Sequence, residues 1–184
     1  LKKFPSVDPG KITCVYAAAD ATMVPQAKEG SSIVMVSTLS PRKNQKKLIE
    51  AYGMLSEELR SKHPLVLIGG RGWQDEDIVA LAKKTKDVSY KGYLSPAECA
   101  KEMEKALVVA YPSNYEGFGL PLLDAMNAGI PVLTSDVGSM KEVAGDAALF
   151  VDPNSVQSIA DGLSELLTKK ELREALRKKG FARS

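Results

Sequence analysis

Histidine and tryptophan occur once each in the 184 residues, and cysteine only twice. The one histidine, His63, stands before Pro64 in a connection and reads as a surface residue, so histidine acid–base chemistry has no obvious carrier. Cys14 and Cys99 are far apart and lack Cys-x-x-Cys spacing, which argues against a metal site or a disulfide framework. Both read as small buried hydrophobes, in keeping with a reducing, cytoplasmic setting. No apolar run approaches membrane-spanning length, and no signal peptide is visible. A net charge of +2 is too small to argue for a nucleic-acid partner. Repeats and low-complexity stretches are absent as well. What remains is ordinary for a globular protein, at 44% hydrophobic and 26% charged residues. The length suits one domain with a real core. The chain begins with Leu rather than Met, which fits a fragment.

After a basic, proline-punctuated lead-in (Leu1 to Gly10), apolar and β-branched runs predict strands over Ile12–Tyr16, Ser32–Leu39, Pro64–Ile68, Val88–Tyr90, Leu107–Tyr111, Ile130–Thr134 and Ala147–Val151. Between them the spacing predicts helices. One runs over Gln45–Leu59, with Leu48, Ile49, Tyr52 and Leu55 at helical intervals. Others cover Asp75–Thr85, a segment from Ser95 to about Lys105, Leu120–Ala128, Val156–Leu167, and Glu171 to the end. Ser95 and Glu98 form a capping box. Trp73, in the turn before the second helix, reads as a cap on the edge of the core. Regular alternation of strand and helix predicts an α/β fold, a doubly wound, mostly parallel sheet of about six strands with helices on both faces.

The stretch from Tyr111 to Val132 carries the chemistry. A buried strand feeds a turn rich in Ser, Asn and Gly, and a short helix follows, with Pro121 in its first turn and Gly129 at its C-cap. The loop therefore falls at the carboxyl end of a strand, where open α/β sheets bind ligands. Gly117 and Gly119 allow backbone N–H groups to approach a ligand, and the helix starting near Leu120 offers unpaired N–H groups, a pattern suited to phosphate. Glu116 and Asp124 bracket this spot as acceptors for sugar or ribose hydroxyls; the plainer reading is two solvated acids. Arg42 and Lys43 occupy a loop after another strand, on the same rim as Glu116 if the sheet is parallel. They are a pair able to neutralise a diphosphate, or else two solvated cations. Gly69 and Gly70 form a turn open either to ligand approach or to tight turning alone. The spacing around them is not that of a dinucleotide fingerprint.

Glu116-Gly117-Phe118-Gly119-Leu120-Pro121, followed by Leu-Leu-Asp124-Ala-Met-Asn-Ala-Gly129-Ile-Pro-Val132, resembles the signature of the family-4, or group 1, retaining glycosyltransferases. That family has a GT-B architecture of two Rossmann-like domains, and the signature belongs to the C-terminal, nucleotide-sugar-binding one. Its pattern is Glu, seven residues, Glu; this chain has Glu116, seven residues, Asp124, one methylene shorter. The resemblance runs from about Lys11 onward, and the segment Lys11–Asp20 is similar to the one that follows the interdomain linker. It implies an acceptor-binding N-terminal half that this chain does not include.

The implied donor is a nucleoside-diphosphate sugar. Lys43, in a Pro-Arg-Lys-Asn segment similar to the family's phosphate-binding lysine, would hold the diphosphate. Many members carry a Gly-Arg pair where this chain has Ser37-Thr38, so one phosphate contact would be weakened, or supplied instead by Arg42. Backbone groups of Gly117, Phe118, Gly119 and Leu120 would face the phosphates, Asp124 the ribose, and Glu116 the sugar beside the reacting carbon. The Gly-Tyr93-Leu94 stretch would border the nucleobase, although Tyr93 packing on the core is an equal reading. No metal or other cofactor is implied. The expected partners are the donor and the N-terminal domain, with no nucleic acid, and the full-length protein is left free to touch a membrane peripherally. The isolated chain would bind donor weakly and transfer nothing. Two other classes fit part of the pattern: a nucleotide-binding module without catalysis, and a nucleotide-sugar epimerase or phosphorylase of similar architecture.

Overall fold

The computed structural model describes residues 8–13, 15, 17, 18, 25, 26 and 28–184. Runs such as Ile33-Val-Met and Leu107-Val-Val-Ala are apolar on both sides of a pleat, so they are stable only as strands covered on both faces. They form the middle of a six-stranded sheet: β1 (Ser32–Val36), β2 (Leu65–Ile68), β3 (Val88–Tyr90), β4 (Ala106–Tyr111), β5 (Val132–Ser135) and β6 (Ala148–Val151). The strand order is β3-β2-β1-β4-β5-β6 and every pairing is parallel. The helices are α1 (Gln45–Gly53), α2 (Glu57–Lys62), α3 (Glu76–Lys84), α4 (Pro96–Met103), α5 (Leu120–Asn127), α6 (Met140–Ala144), α7 (Val156–Thr168) and α8 (Lys170–Arg183). Right-handed crossovers that leave β1 and β4 in opposite directions put their helices on opposite faces. Accordingly α1 packs on α3 and α7, and α5 on α6 and α8.

Three local expectations change. Of the run Ile12–Tyr16, Cys14 and Tyr16 lie outside the described residues, and Ile12, Thr13 and Val15 join no strand. Val15 is largely exposed, so its branched side chain has no sheet face to cover. The helix over Gln45–Leu59 is two helices, because α1 ends at Gly53 and the Ser56 hydroxyl caps α2 by accepting from the Leu59 N–H at 3.3 Å. Trp73 does not cap the core but stands exposed. The capping box at Ser95 and Glu98 forms as read, Gly129 takes a φ of 71°, and Cys99 is buried.

The last helix lies across the signature helix. A methyl group on Gly129 would meet the Phe181 ring at 2.5 Å, and one on Gly180 would meet Met126 at 3.3 Å. Glycine at position 129 thus both ends α5 and lets α8 close over it. Arg173, almost wholly buried, anchors the start of α8 through Glu29 at 2.9 Å and the Leu166 carbonyl at 2.8 Å.

The rim carrying the site is tied together by Asn44. This buried residue sits in the left-handed region at φ 64°, and its Nδ2 donates to the carbonyls of Pro112 (2.9 Å) and Pro153 (2.8 Å). Replacement by alanine loses both bonds and imposes a strained backbone, together about 3 kcal/mol. For a chain of this size the expected result is a fall in Tm of roughly 6–12 °C in a thermal melt. Asn44→Gly should recover the backbone share only.

Candidate functional site

The order β3-β2-β1-β4-β5-β6 reverses direction between β1 and β4, and the loops leaving those two strands diverge into a crevice at their carboxyl ends. The loop after β1 contains a 3₁₀ turn, Pro41–Lys43. The loop after β4 runs from Pro112 to Gly119. They meet directly: the Asn114 N–H donates to the Arg42 carbonyl at 2.9 Å, and Arg42 Nη1 donates to the Tyr115 carbonyl at 2.7 Å.

At the centre stands Glu116, its side chain only 7% exposed. Lys43 Nζ donates to its Oε1 at 2.7 Å, and Arg42 Nη1 to its Oε2 at 3.0 Å. Burial acts to raise the Glu116 pKa, but the hydrogen bonds from Lys43 and Arg42, with the Lys43 charge, outweigh it and hold the carboxyl below its usual range. Lys43 also donates to the Tyr111 hydroxyl at 2.6 Å. Burial, and the neighbouring Glu116 charge, push the Tyr111 pKa well up, so that hydroxyl stays neutral. The Glu116 loop is braced from the other side by the loop after β5. Ser139 Oγ donates to the Phe118 carbonyl at 2.9 Å, and a methyl group on Gly138 (φ 61°) would stand 2.9 Å from the Glu116 carbonyl.

A cavity of about 540 Å³ opens over these groups, lined among others by Thr38, Arg42, Lys43, Trp73, Glu116 and Gly119. It receives the start of α5, where Gly119 (φ 98°) is the N-cap, Pro121 carries no N–H and the Leu122 N–H donates back to the Gly119 carbonyl at 3.0 Å, which leaves the Gly119 and Leu120 N–H groups for a ligand. Two cations, a helix N-terminus and a buried carboxylate therefore converge on one space, which suits a di-anion carrying a hydroxylated group. A second cavity, about 560 Å³, opens beside the first turns of α1 and α3. Its Lys46 and Lys47 are balanced by Glu76 and Asp77 and no glycine lines it, so the first cavity suits an anion better. Among the described residues, no group of three or more His, Cys, Asp or Glu stands together to hold a metal ion.

The structure thus brings together Arg42, Lys43, Glu116, Phe118, Gly119 and Leu120 on one cavity. Gly117 is exposed in the same loop. Asp124 is half-buried one turn into α5, and the Cys99 thiol, pushed up by burial, also feels its charge. Gly69, Gly70, Tyr93 and Leu94 follow β2 and β3 and do not line the cavity wall. Gly69 has a packing reason to be glycine, since a methyl group there would stand 2.1 Å from the Ser37 carbonyl; Gly70 faces open space. Tyr93 is 77% exposed, which overturns the core-packing reading. In the place of the family's Gly-Arg pair, the Ser37 hydroxyl accepts from Gln45 at 2.9 Å while Thr38 lines the cavity beside Arg42. Tyr111, Gly138 and Ser139 were not anticipated. Only Tyr111 offered a signal, a hydroxyl at the end of an otherwise apolar strand.

A family model described as glycosyl transferases group 1 matches residues 22–183, and the chain belongs to that family. It is 40% identical over 152 residues to the O-antigen chain mannosyltransferase B of Escherichia coli, covering 81% of this chain and 40% of that protein. It is 31% identical over 157 residues to the serotype-specific mannosyltransferase WbdA of Escherichia coli, covering 83% of this chain and 19% of that protein. The chain thus spans well under half the length of these relatives. In fold it resembles the C-terminal domain of a group 1 glycosyl transferase (LpcC) from Francisella tularensis, with a TM-score of 0.78 at 23% identity over 90% of this chain and 95% of that one. It also resembles Anabaena HepE in complex with UDP and glucose, with a TM-score of 0.71 at 22% identity over 84% of this chain and 43% of that one. Among the described residues no helix is long and apolar enough to cross a membrane.

Proposed function

We propose that this chain is the donor-binding domain of a retaining glycosyltransferase, and that its crevice holds a nucleoside-diphosphate sugar. The observation that carries this reading is the convergence of Lys43, Arg42 and the start of α5 on one cavity around a buried carboxylate. The cations and the Gly119 and Leu120 N–H groups would take the diphosphate, Asp124 the ribose, and Glu116 hydroxyls of the sugar. Rate acceleration would come from stabilising the departing nucleoside diphosphate and holding the sugar in place, with these cations neutralising charge where other enzymes use a metal. The mannosyltransferase relatives support a hexose, mannose first among them. The acceptor would sit on a separate N-terminal domain of a longer protein, so the isolated chain binds donor and does not transfer.

Calorimetric titration with UDP, GDP and ADP, without added metal, tests this. Saturable binding of one nucleotide is expected, and silence from all three in a folded sample would refute the reading. Tyr111→Phe removes the hydroxyl that holds Lys43 but leaves the ring buried. It should weaken that binding by roughly 3–10-fold, the worth of one hydrogen bond, with Tm nearly unchanged.

A further inference from the structure

Trp73 is the one tryptophan of the chain, and it stands 60% exposed on the wall of the Lys43–Glu116 cavity. An indole offers more apolar surface than any other side chain, and folding alone favours turning it inward. The loop that carries it, between β2 and α3, is held firmly in the outward arrangement. Asp75, 2% exposed, accepts from Arg71 at 2.5 Å and 2.7 Å and from the Gly72 N–H at 3.0 Å, which closes the loop on itself. Gly72 lies flat on the loop after β1, since a methyl group there would stand 2.0 Å from the Leu39 carbonyl. Gln74, next in the chain, takes a φ of 52°, a conformation that a non-glycine residue keeps only where its surroundings impose it. A clamp, a close backbone contact and a strained residue therefore fix an exposed ring above a charged cavity.

A nucleoside diphosphate is a di-anion joined to a flat ring with apolar faces. The cavity offers the matching pair: cations from the loop after β1, and a flat ring from the loop after the adjacent strand β2. We propose that Trp73 is the platform on which the donor's nucleobase stacks. This rests on the donor-site reading. Stacking is tolerant of which base is bound, so Trp73 would add affinity for nucleotides as a class and leave the choice among bases to hydrogen bonds elsewhere.

Because the chain has no other tryptophan, its emission, excited where tyrosine does not absorb, reports on this residue alone. The chain is titrated with GDP, with UDP and with inorganic pyrophosphate, following both emission and heat. The expected result is quenching by the nucleotide that binds, no quenching by pyrophosphate, and nucleotide affinity about 5–100-fold weaker in Trp73→Ala. Pyrophosphate affinity should be unchanged in that variant, which also shows its cavity intact, and Trp73→Phe should recover most of the loss. Lys43-dependent nucleotide binding with unmoved emission and an unaffected Trp73→Ala overturns the platform and leaves the donor reading standing. Equal quenching by pyrophosphate overturns the assignment to the base. Failure of every nucleotide to bind the wild-type chain overturns both.

Discussion

Glu116→Gln should move binding and transfer in opposite directions. In the free protein the carboxylate hydrogen-bonds both Lys43 and Arg42, so it occupies the cations that a diphosphate would use. Removing its charge while keeping its shape leaves two cations facing an empty cavity. The affinity for a nucleoside diphosphate should then rise by roughly fivefold or more, since a unit charge about 4 Å away is worth about 1 kcal/mol in water and more near a protein surface. Transfer in the longer protein should fall by about 10²–10³, as when one pre-organised electrostatic contact near the reacting centre is lost. Calorimetry on this chain and an initial-rate assay on the longer protein read the two arms. Unchanged transfer would reduce Glu116 to a clip for the loops. There is a pH signature as well. A carboxyl held below its usual range contributes stability above its unfolded pKa and loses it as pH falls through the folded one. The wild-type chain should therefore lose stability more steeply than Glu116→Gln below about pH 4.

Lys43→Ala should nearly abolish nucleotide binding. Hydrogen bonds to charged groups contribute about 1.5–3 kcal/mol each, so losing the best-placed cation should cost roughly 10–150-fold in affinity. The same substitution removes one of the two cations on Glu116 and deprives the Tyr111 hydroxyl of its donor. The hydrogen bond from Lys43 is the strongest influence lowering the Glu116 pKa, so that carboxyl should drift up toward its ordinary range. Circular dichroism separates lost binding from lost fold. Lys43→Arg should recover only part of the affinity, because a planar fork cannot meet Tyr111 and Glu116 in the way a compact ammonium does. Full affinity in Lys43→Ala would move the anion site elsewhere on the rim.

The sequence was most informative where the cause of a structure is local. Doubly apolar runs can only be covered strands, Ser95 and Glu98 cap a helix three residues apart, and Gly129 must follow a helix that ends. That Glu116, Lys43 and Gly119 share one rim was legible because their loops each follow a strand, and the carboxyl ends of parallel strands lie on one edge. The unread parts depend on distant partners. Asn44 bonds carbonyls 68 and 109 residues away, and Ser139 braces a loop 21 residues earlier. No spacing rule reaches that far. The break at Gly53 was hidden because apolar residues continue at Leu55 and Leu59. Trp73 was misplaced because a lone aromatic beside glycines reads as core until the Asp75 clamp shows which way the loop turns.

The placement of α8 has a consequence for synthesis on the ribosome. The helix that presents its N-terminus to the cavity is covered along its back by α8, which follows all six strands in the chain, with Gly180 against Met126 and Phe181 against Gly129. Until α8 emerges, the sheet can pair but the signature helix has no lid over its apolar flank. The nascent chain must then carry a sticky, half-dressed intermediate until α8 has been made. Emergence of α8, rather than completion of the sheet, is the moment at which this domain becomes fully native.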